Sequence, residues 1–234
     1  MKGGIIAAGE GSRLHEAFGA PKPLVRVGGM TLLERTLRAL SDSGVDEVTL
    51  IAREPEVVEH ARSLNLPARL RTVIKVTESS MHSLYELGIF LKGERFLLCT
   101  VDSIIRPEEF AGFARTFEER TDLDVLLSYT DHIDDEKPLR VAVEQGPGGG
   151  AVTALGEAAA DSPFVTVGLY GIGPRAMSLL DRALTRRMKK LRNYLALVLE
   201  NRLPMAGCRL SKAIDVDRPT DVEAAEAFLL EAAR

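Results

Sequence analysis

The sequence predicts an α/β fold with a mainly parallel sheet that carries helices on both of its faces. Through residue 130, short apolar runs alternate with segments whose apolar residues recur at helical spacing. Such an alternation is typical of parallel sheets with crossover helices. The 234 residues, of which 45% are hydrophobic, suffice for the core of one domain. Because the sequence contains neither an internal repeat nor a linker, we expect residues 1–234 to form a single domain.

The strands and helices follow in order from these two patterns. A short apolar run ahead of Gly9 predicts the first strand, and Pro55 and Pro107 suit the first turn of a helix. Further strands are predicted at residues 45–52, 70–76, 95–101, 124–129, 139–144, 151–155, 164–172 and 208–216. Helices are predicted at residues 31–41, 55–65, 77–91, 107–120, 174–184, 188–201 and from residue 219 onward. A polar loop at 131–137 and a glycine turn at 145–150 interrupt the alternation.

Composition narrows the class of protein. The formal net charge of −4 at pH 7 argues against a general nucleic-acid binder, and no apolar run approaches the roughly 20 residues of a membrane span. The glycine turn interrupts the first hydrophobic stretch too early for a signal peptide. Cys99 and Cys208 form no Cys-x-x-Cys pair and are expected to be buried thiols. We therefore expect a cytoplasmic protein without a nucleic-acid or membrane partner, and the sequence leaves open whether it forms a homo-oligomer.

The stretch after the first strand predicts a phosphate-binding loop. Gly9 and Gly11 allow a tight turn in which backbone N–H groups approach a ligand closely. Arg13 places a guanidinium beside the turn, and Lys22 adds a compact ammonium. Leu14 stands where the dinucleotide-binding fingerprint needs its third glycine, and the Gly-Lys-Ser/Thr of a Walker A loop is absent. The residues therefore favour a cradle for a polyphosphate of another kind.

Two carboxylate positions are candidates for a metal site. Asp102 follows the strand predicted at 95–101, and ligands bind at the carboxyl ends of strands in open α/β sheets. Asp215 and Asp217 alternate along the last predicted strand, which would place both on one face about 7 Å apart. Mg²⁺ prefers one or two carboxylates together with substrate phosphates. From the residues alone, a cap for the following turn or helix explains each aspartate as well.

The glycine loop and the lysine after it resemble the signature of the nucleotidyltransferases that make nucleotide sugars and related activated head groups. That signature is a strand, then A-A-G-x-G-x-R, a spacer and P-K, and it stands here as Ala7-Ala8-Gly9-Glu10-Gly11-Ser12-Arg13 and Pro21-Lys22. The resemblance implies a GT-A-like nucleotidyltransferase fold, which is Rossmann-like with three α/β/α layers and a mainly parallel mixed sheet. It also implies nucleotide binding by Ala7, Ala8, Gly9, Gly11, Ser12 and Arg13.

The resemblance extends to the aspartates and to a serine-rich segment. The family carries its metal aspartate at the end of a strand, which favours Asp102. Its tail element D-x-D/G-x-P-x-D-L is matched from Asp215 onward and leaves Asp215 or Asp217 as the second ligand. The family's loop against base and ribose falls at residues 77–84 and implies nucleotide-binding roles for Ser79, Ser80 and Ser83. An ordinary serine cap of the next helix explains these serines equally well.

The acceptor side of the resemblance is looser. The matching elements imply acceptor contacts for Glu157, Gly168 and Tyr170, and close packing of a core strand accounts for the glycine equally well. Lys212, just before the terminal aspartates, is the better candidate for the acceptor's phosphate. Lys189, Lys190 and Arg192 are expected to form a solvated face, from which one cation could serve the same phosphate.

Together the residues and the resemblance imply a Mg²⁺-dependent nucleotidyltransferase of nucleotide-sugar biosynthesis. It would transfer a nucleoside monophosphate from an NTP to a sugar 1-phosphate by in-line attack on the α-phosphate and release pyrophosphate. Arg13 and Lys22 would be the catalytic cations, at the leaving phosphates and at the α-phosphate respectively. The alternatives are a CTP-dependent cytidylyltransferase for a phospho-alcohol such as phosphocholine, a molybdopterin guanylyltransferase-like enzyme, and a nucleotide-binding regulatory protein. The sequence does not decide between NTPs or between acceptors.

Overall fold

A mixed nine-stranded sheet forms the centre of the structure, a computed structural model that describes residues 1–133, 138–144 and 150–231. The strands are β1 (Lys2–Ala7), β2 (Arg26–Val27), β3 (Met30–Thr31), β4 (Glu47–Ala52), β5 (Arg69–Ile74), β6 (Phe96–Thr100), β7 (Ser103–Ile104), β8 (Val125–Thr130), β9 (Val141–Val143), β10 (Gly150–Leu155), β11 (Val165–Ile172), β12 (Met205–Arg209) and β13 (Ile214–Asp215). The helices are α1 (Ser12–Phe18), α2 (Leu32–Asp42), α3 (Pro55–Ser63), α4 (Ser80–Leu91), α5 (Pro107–Glu119), α6 (Pro174–Met177), α7 (Leu180–Thr185), α8 (Leu191–Glu200) and α9 (Pro219–Glu231). Short 3₁₀ turns lie at Lys22–Leu24 and Gly156–Ala159.

The order of strands in the sheet is β5-β4-β1-β6-β11-β8-β12-β10-β9. Across the described part of the chain, every strand of this sheet except β10 and β11 runs in the same direction. From β1 the chain first builds towards β4 and β5, and it then returns to place β6 on the other side of β1. The carboxyl ends of β1 and β6 therefore form a topological switch point, where open α/β sheets bind their ligands.

Side chains on the two faces of the sheet bury two separate cores. On one face, Ile5 and Leu97 pack with apolar side chains of α2, α3, α5 and α9. On the other face, Ile6 and Leu98 pack with α4, α6, α7 and α8. Because neighbouring residues of a strand point to opposite faces, β1 and β6 are buried on both sides, and this burial explains their continuous apolar runs. The expected three-layer α/β/α fold with a mainly parallel mixed sheet is confirmed. No helix within the described ranges is long and apolar enough to cross a membrane.

The carboxyl-terminal strand differs from the prediction. The sequence predicts one strand at 208–216, whereas β12 and β13 are separate strands in two different sheets. The Glu109 carboxylate on α5 accepts hydrogen bonds from the backbone N–H and the hydroxyl of Ser211, at 2.6 and 3.1 Å. Ser211 is thus held against α5 where the chain leaves the central sheet, and β13 pairs with β7 instead.

Three smaller differences concern helices and turns. Helix α1 was not predicted because only Leu14 of its seven residues is buried, so it shows no apolar periodicity. The helix predicted at 174–184 is two short helices, α6 and α7, and the one predicted at 188–201 begins at Leu191. Residues 145–149 of the predicted glycine turn and residues 134–137 of the predicted polar loop lie outside the described residues, and Gly150 begins β10.

Candidate active site

The carboxyl ends of β1 and β6 bring the glycine loop and Asp102 to the same edge of the sheet. Ile6 and Thr100 are direct partners in the parallel ladder between these strands. The loop at residues 8–11 follows β1, and Asp102 follows β6 after one intervening residue. Both segments line a cavity of about 280 Å³, which also contains Lys22 and Asp217. We call it the smaller cavity. The carboxyl ends of β1 and β6 thus bring together residues that are far apart in sequence.

Gly11 allows Lys22 to approach this edge. Gly11 has a φ of +52° and caps the start of α1, a conformation that favours glycine. A Cβ at this position would also overlap the Cβ of Lys22. Lys22 begins the 3₁₀ turn of Lys22–Leu24, and its side chain is only 9% exposed. The glycine loop therefore provides the space for a buried lysine.

The Lys22 ammonium pairs with two carboxylates from distant parts of the chain. Its Nζ donates to Asp102 Oδ2 at 2.7 Å and also to Asp217 Oδ1. Burial disfavours the charged ammonium, but the two carboxylates together outweigh this effect and raise the pKa of Lys22 above its ordinary value. Lys22 is therefore a permanently charged cation at the end of β6.

Asp215 adds a third carboxylate to the cluster. Burial raises the pKa of Asp102, but the Lys22 ammonium outweighs it and holds that pKa below its usual value. For Asp215, burial and the neighbouring Asp102 carboxylate act together and raise the pKa to about 8. Two carboxylates, Asp102 and Asp217, thus face one ammonium, and Asp215 holds a proton at neutral pH; a bound cation would neutralise the excess negative charge.

Ser103 connects β7, β11 and β13 beneath the carboxylates. Its hydroxyl donates to Asp215 Oδ1 at 2.7 Å and accepts from the Gly168 N–H at 3.1 Å. A Cβ at position 168 would overlap the hydroxyl oxygens of Thr100 and Ser103. Gly168 is thus required for the close approach of β11 to these two hydroxyls, as the packing interpretation of the sequence proposes.

A larger cavity of about 400 Å³ adjoins the smaller one. Ser80, Thr100 and Asp102 line both cavities and form their shared wall. The larger cavity extends from this wall over β11 and the start of α8. Its remaining lining residues are Ser79, Leu139, Thr166, Val167, Gly168, Tyr170, Lys190, Leu191, Arg192 and Asp215. The site is therefore a cleft of two compartments that meet at Asp102.

Tyr170 is buried in the wall of the larger cavity. Burial raises the pKa of its phenol to about 12, with the Asp215 and Asp102 carboxylates adding to the shift and a hydrogen bond with Thr166 opposing it. The side chain therefore presents a neutral hydroxyl, which can donate or accept a hydrogen bond.

The predicted serines lie at the start of α4 and are already hydrogen-bonded within the protein. Ser79 Oγ donates to the carbonyl of Lys189, and Ser80 Oγ accepts from the Leu191 N–H at 3.1 Å. Ser83 is buried, and its hydroxyl shares a 2.7 Å hydrogen bond with that of Thr77. Ser83 lines neither cavity, whereas Ser79 and Ser80 do.

Several other predicted residues lie away from the cavities. Lys212 Nζ lies 5.2 Å from the centre of the Phe228 ring and 3.8 Å from Glu231 Oε2. Glu157 is exposed in the second 3₁₀ turn. Of the glycine-loop residues, Ala7, Gly9 and Gly11 line the smaller cavity, Ala8 packs in the core, and Ser12 and Arg13 are exposed at the start of α1.

Sequence reasoning missed Ser103, Thr100 and Thr166. Ser103 directly follows Asp102, so its position at a strand end was a usable signal. Thr100 and Thr166 lie within strands, where a threonine is common for its β-propensity and carries no indication of a site. Lys190 and Arg192 were assigned mainly to a solvated face, and the structure places both in the wall of the larger cavity.

The donor set suits a hard divalent cation. Within the described ranges, no group of three or more His, Cys, Asp or Glu side chains converges as a complete metal cage. Asp102 and Asp217 nevertheless bring two carboxylates to the smaller cavity, and Mg²⁺ commonly takes one or two carboxylates and completes its shell with water and substrate phosphates. The arrangement fits a metal that binds together with a phosphorylated substrate.

Comparison with known proteins decides the family. Residues 3–134 match the MobA-like NTP transferase domain. The chain belongs to this family. As a MobA-like NTP transferase it is a nucleotidyltransferase, and the glycine loop, Lys22 and Asp102 all lie within the matched residues.

Curated relatives align with almost the whole length of this chain. A protein of Rubrobacter xylanophilus named "Bifunctional IPC transferase and DIPP synthase" is 30% identical over 231 residues, which cover 97% of this chain and 51% of the relative. A protein of Aquifex aeolicus with the same name is 25% identical over 98% of this chain and 52% of its own length. The chain thus spans about half the length of these two relatives.

Solved structures share the fold of this chain. The inositol-1-phosphate CTP transferase from T. maritima superposes with a TM-score of 0.81 at 19% identity, over 98% of this chain and 96% of that one. A UDP-glucose pyrophosphorylase in complex with UDP-glucose also gives a TM-score of 0.81, at 13% identity, over 99% and 100% of the two chains. The architecture is therefore common to transferases named for different nucleotides and acceptors.

Proposed function

We propose that this protein transfers CMP from CTP to the phosphate of inositol 1-phosphate and releases pyrophosphate. The match across 97% of the chain to a relative named an IPC transferase carries this proposal. The fold shared with an inositol-1-phosphate CTP transferase supports it. The proposal selects the CTP-using alternative over the sugar 1-phosphate that the sequence alone favours.

The two cavities suit the two substrates. We assign CTP to the smaller cavity, because the glycine loop and Lys22 line it and backbone N–H groups in such a loop suit phosphate oxygens. We assign inositol 1-phosphate to the larger cavity, where Tyr170 and Thr166 offer neutral hydroxyls to a polyol ring. Lys190 and Arg192 supply positive charge at the same cavity.

The reaction then takes place at the shared wall. A phosphate oxygen of inositol 1-phosphate attacks the α-phosphorus of CTP, the bond from that phosphorus to the β-phosphate oxygen breaks, and pyrophosphate leaves. Because the second pKa of a phosphate monoester is about 6, the attacking group is already a dianion at neutral pH and needs no general base. The protein's task is to align the two phosphates and to stabilise the charge that develops.

Lys22 is the residue best placed to stabilise that charge. Its ammonium is buried, permanently charged and fixed by Asp102 beside the shared wall. A cation that is already oriented before the reaction stabilises a transition state without reorganisation. Arg13, exposed at the start of α1, is proposed to contact the departing β- and γ-phosphates.

Mg²⁺ is the proposed cofactor. Asp102, together with Asp215 or Asp217, would hold it, and when bound it would neutralise charge on the substrate phosphates. Ser103 fixes the orientation of the Asp215 carboxylate through its 2.7 Å hydrogen bond.

The proposal is tested by pyrophosphate release from a matrix of substrates. CTP, UTP, dTTP, GTP and ATP are each combined with inositol 1-phosphate, glucose 1-phosphate or phosphocholine, and unphosphorylated inositol serves as the control acceptor. We expect turnover with CTP and inositol 1-phosphate, and none with inositol. Preferred turnover of UTP or dTTP with glucose 1-phosphate would contradict the proposed substrates and favour the sugar-phosphate alternative.

A further inference from the structure

The connection between α7 and α8 carries a dense group of cations beside the larger cavity. Residues 186–192 read Arg-Arg-Met-Lys-Lys-Leu-Arg. Arg186, Arg187, Lys189 and Lys190 are exposed, while Lys190 and Arg192 also line the cavity. We call residues 186–192 the cationic loop. The cationic loop therefore brings positive charge to the edge of the larger cavity.

Two serine hydroxyls hold the cationic loop against the start of α4. Ser79 Oγ donates to the Lys189 carbonyl, and Ser80 Oγ accepts from the Leu191 N–H at 3.1 Å. Leu191 is the first residue of α8, so its N–H has no partner within its own helix. The two hydrogen bonds flank Lys190 in sequence and thereby fix the backbone on both sides of it.

The hydrogen-bond inventory of Ser79 leaves no proton for a nucleotide. A serine hydroxyl has a single donor, and that of Ser79 is directed at the Lys189 carbonyl. His82 Nδ1 lies 2.9 Å from the same Oγ, so the imidazole must carry its proton on Nδ1 and donate to the serine. Ser79 also lines the larger cavity and not the smaller one.

We propose that Ser79 and Ser80 are positioning residues for the acceptor, because they hold the cationic loop so that Lys190 and Arg192 face the larger cavity. This inference rests on the proposed assignment of that cavity to the phosphorylated acceptor. It replaces direct nucleotide contact as the principal role of the Ser79 hydroxyl, whereas Ser80 also lines the smaller cavity. It also explains why two adjacent serines precede and begin α4 although Ser79 makes no side-chain capping bond to that helix.

Steady-state kinetics of Ser79→Ala test the positioning role. We expect the KM for inositol 1-phosphate to rise by about 2- to 10-fold, the range that corresponds to the loss of one hydrogen bond. The KM for CTP and kcat should stay near their wild-type values, and Ser79→Thr, which keeps the hydroxyl, should restore the acceptor KM. Ser178→Ala is the matched control, because Ser178 is exposed and its hydroxyl donates to the Arg175 carbonyl within its own turn. An increase confined to the KM for CTP would overturn the inference.

A double variant identifies the residue through which Ser79 acts. If Ser79 positions Lys190, then Ser79→Ala combined with Lys190→Ala should raise the acceptor KM no further than Lys190→Ala alone. If the double variant instead raises the acceptor KM by the product of the two single effects, Ser79 does not act through Lys190.

Trypsin provides a readout that does not depend on activity. The cationic loop contains several exposed trypsin sites, so its release from α4 should increase the rate of cleavage within residues 186–192. We expect faster cleavage in Ser79→Ala and in Ser80→Ala than in wild type or Ser178→Ala. Mass spectrometry of the fragments measures the rate and identifies the cleaved bonds. An unchanged cleavage rate would overturn the inference. Absence of turnover by wild type would refute the proposed substrates alone, since the trypsin rates still decide whether the serines hold the loop.

Discussion

The two cavities of the cleft are built in different ways from the sequence. About half of the residues that line the smaller cavity come from the first strand, its glycine loop and the next turn, which carries Lys22. The others come from the start of α4, the end of β6 and the segment after β13. The larger cavity draws its lining from the start of α4, the end of β6, β11, the start of α8 and β13. The glycine loop and Lys22 are therefore encoded within one short stretch of sequence, whereas the residues of the larger cavity come together only through the fold. We expect experiments to separate the two cavities functionally, except at the wall where they meet.

Metal removal should have the largest effect, because it acts at the shared wall. We expect EDTA to abolish pyrophosphate release and added Mg²⁺ to restore it, since the excess of carboxylates over ammonium groups there favours a hard cation. The measurement is the rate of pyrophosphate release before and after dialysis against chelator. Undiminished turnover in metal-free protein would contradict the proposed role of Mg²⁺ as a cofactor.

Lys22→Met should have the next largest effect. Loss of the buried ammonium is expected to lower kcat by about 10²- to 10³-fold, the magnitude seen when one preorganised charge-stabilising group is removed. Circular dichroism checks that the fold is retained.

Lys2→Met is the matched control for Lys22→Met. Lys2 also pairs with a carboxylate, Glu94 at 3.0 Å, but at the opposite end of β1. Its replacement should leave kcat unchanged. Equal kcat values for the two variants would contradict a catalytic role for Lys22.

Gly168→Ala should disturb the larger cavity through packing. The added methyl group would overlap the hydroxyls of Thr100 and Ser103 and displace the support of Asp215. We expect the free energy of unfolding to fall by about 1–3 kcal/mol, as for other overpacked sites, and this loss can be measured by urea denaturation. Gly112→Ala is the control, because position 112 lies in helix α5 with open space around it. It should gain about 0.5–1 kcal/mol from helix propensity.

Lys190→Ala should give the smallest effect and the sharpest contrast between the cavities. We expect the KM for inositol 1-phosphate to rise by about 10-fold, as for the loss of a charge-assisted hydrogen bond, with little change in the KM for CTP. Lys212→Ala tests the expectation from the sequence in the same assay. Because Lys212 lies against Phe228 outside the cavity, its replacement should alter the acceptor KM less. A larger rise of the acceptor KM in Lys212→Ala than in Lys190→Ala would instead assign the acceptor phosphate to Lys212.

The contrast between local and long-range contacts also explains how much of the fold and of the site could be predicted from the sequence. The alternation of strands and helices gave the three-layer fold, and the rule that ligands bind at strand ends located Asp102 beside the glycine loop. Both rest on local patterns. The break between β12 and β13 could not be predicted from local patterns, because the contacts made there, such as the hydrogen bond from Ser211 to Glu109, join residues about a hundred positions apart.

The acceptor side shows the same limit. Lys190 and Arg192 have the composition of a solvated face, but both line the larger cavity, and the backbone of their neighbours Lys189 and Leu191 is hydrogen-bonded to Ser79 and Ser80. A cation's neighbours across the fold, rather than its neighbours in sequence, decide whether it contacts a ligand.

The kinetics of Asp102→Asn test the central claim most directly, because Asp102 lies in the wall shared by both cavities and pairs with Lys22. The account predicts that kcat with CTP and inositol 1-phosphate falls by about 10²- to 10³-fold, since the variant disturbs the point where the two phosphates meet. A variant that keeps wild-type kcat, or that changes only one of the two KM values, would contradict a reaction at this wall.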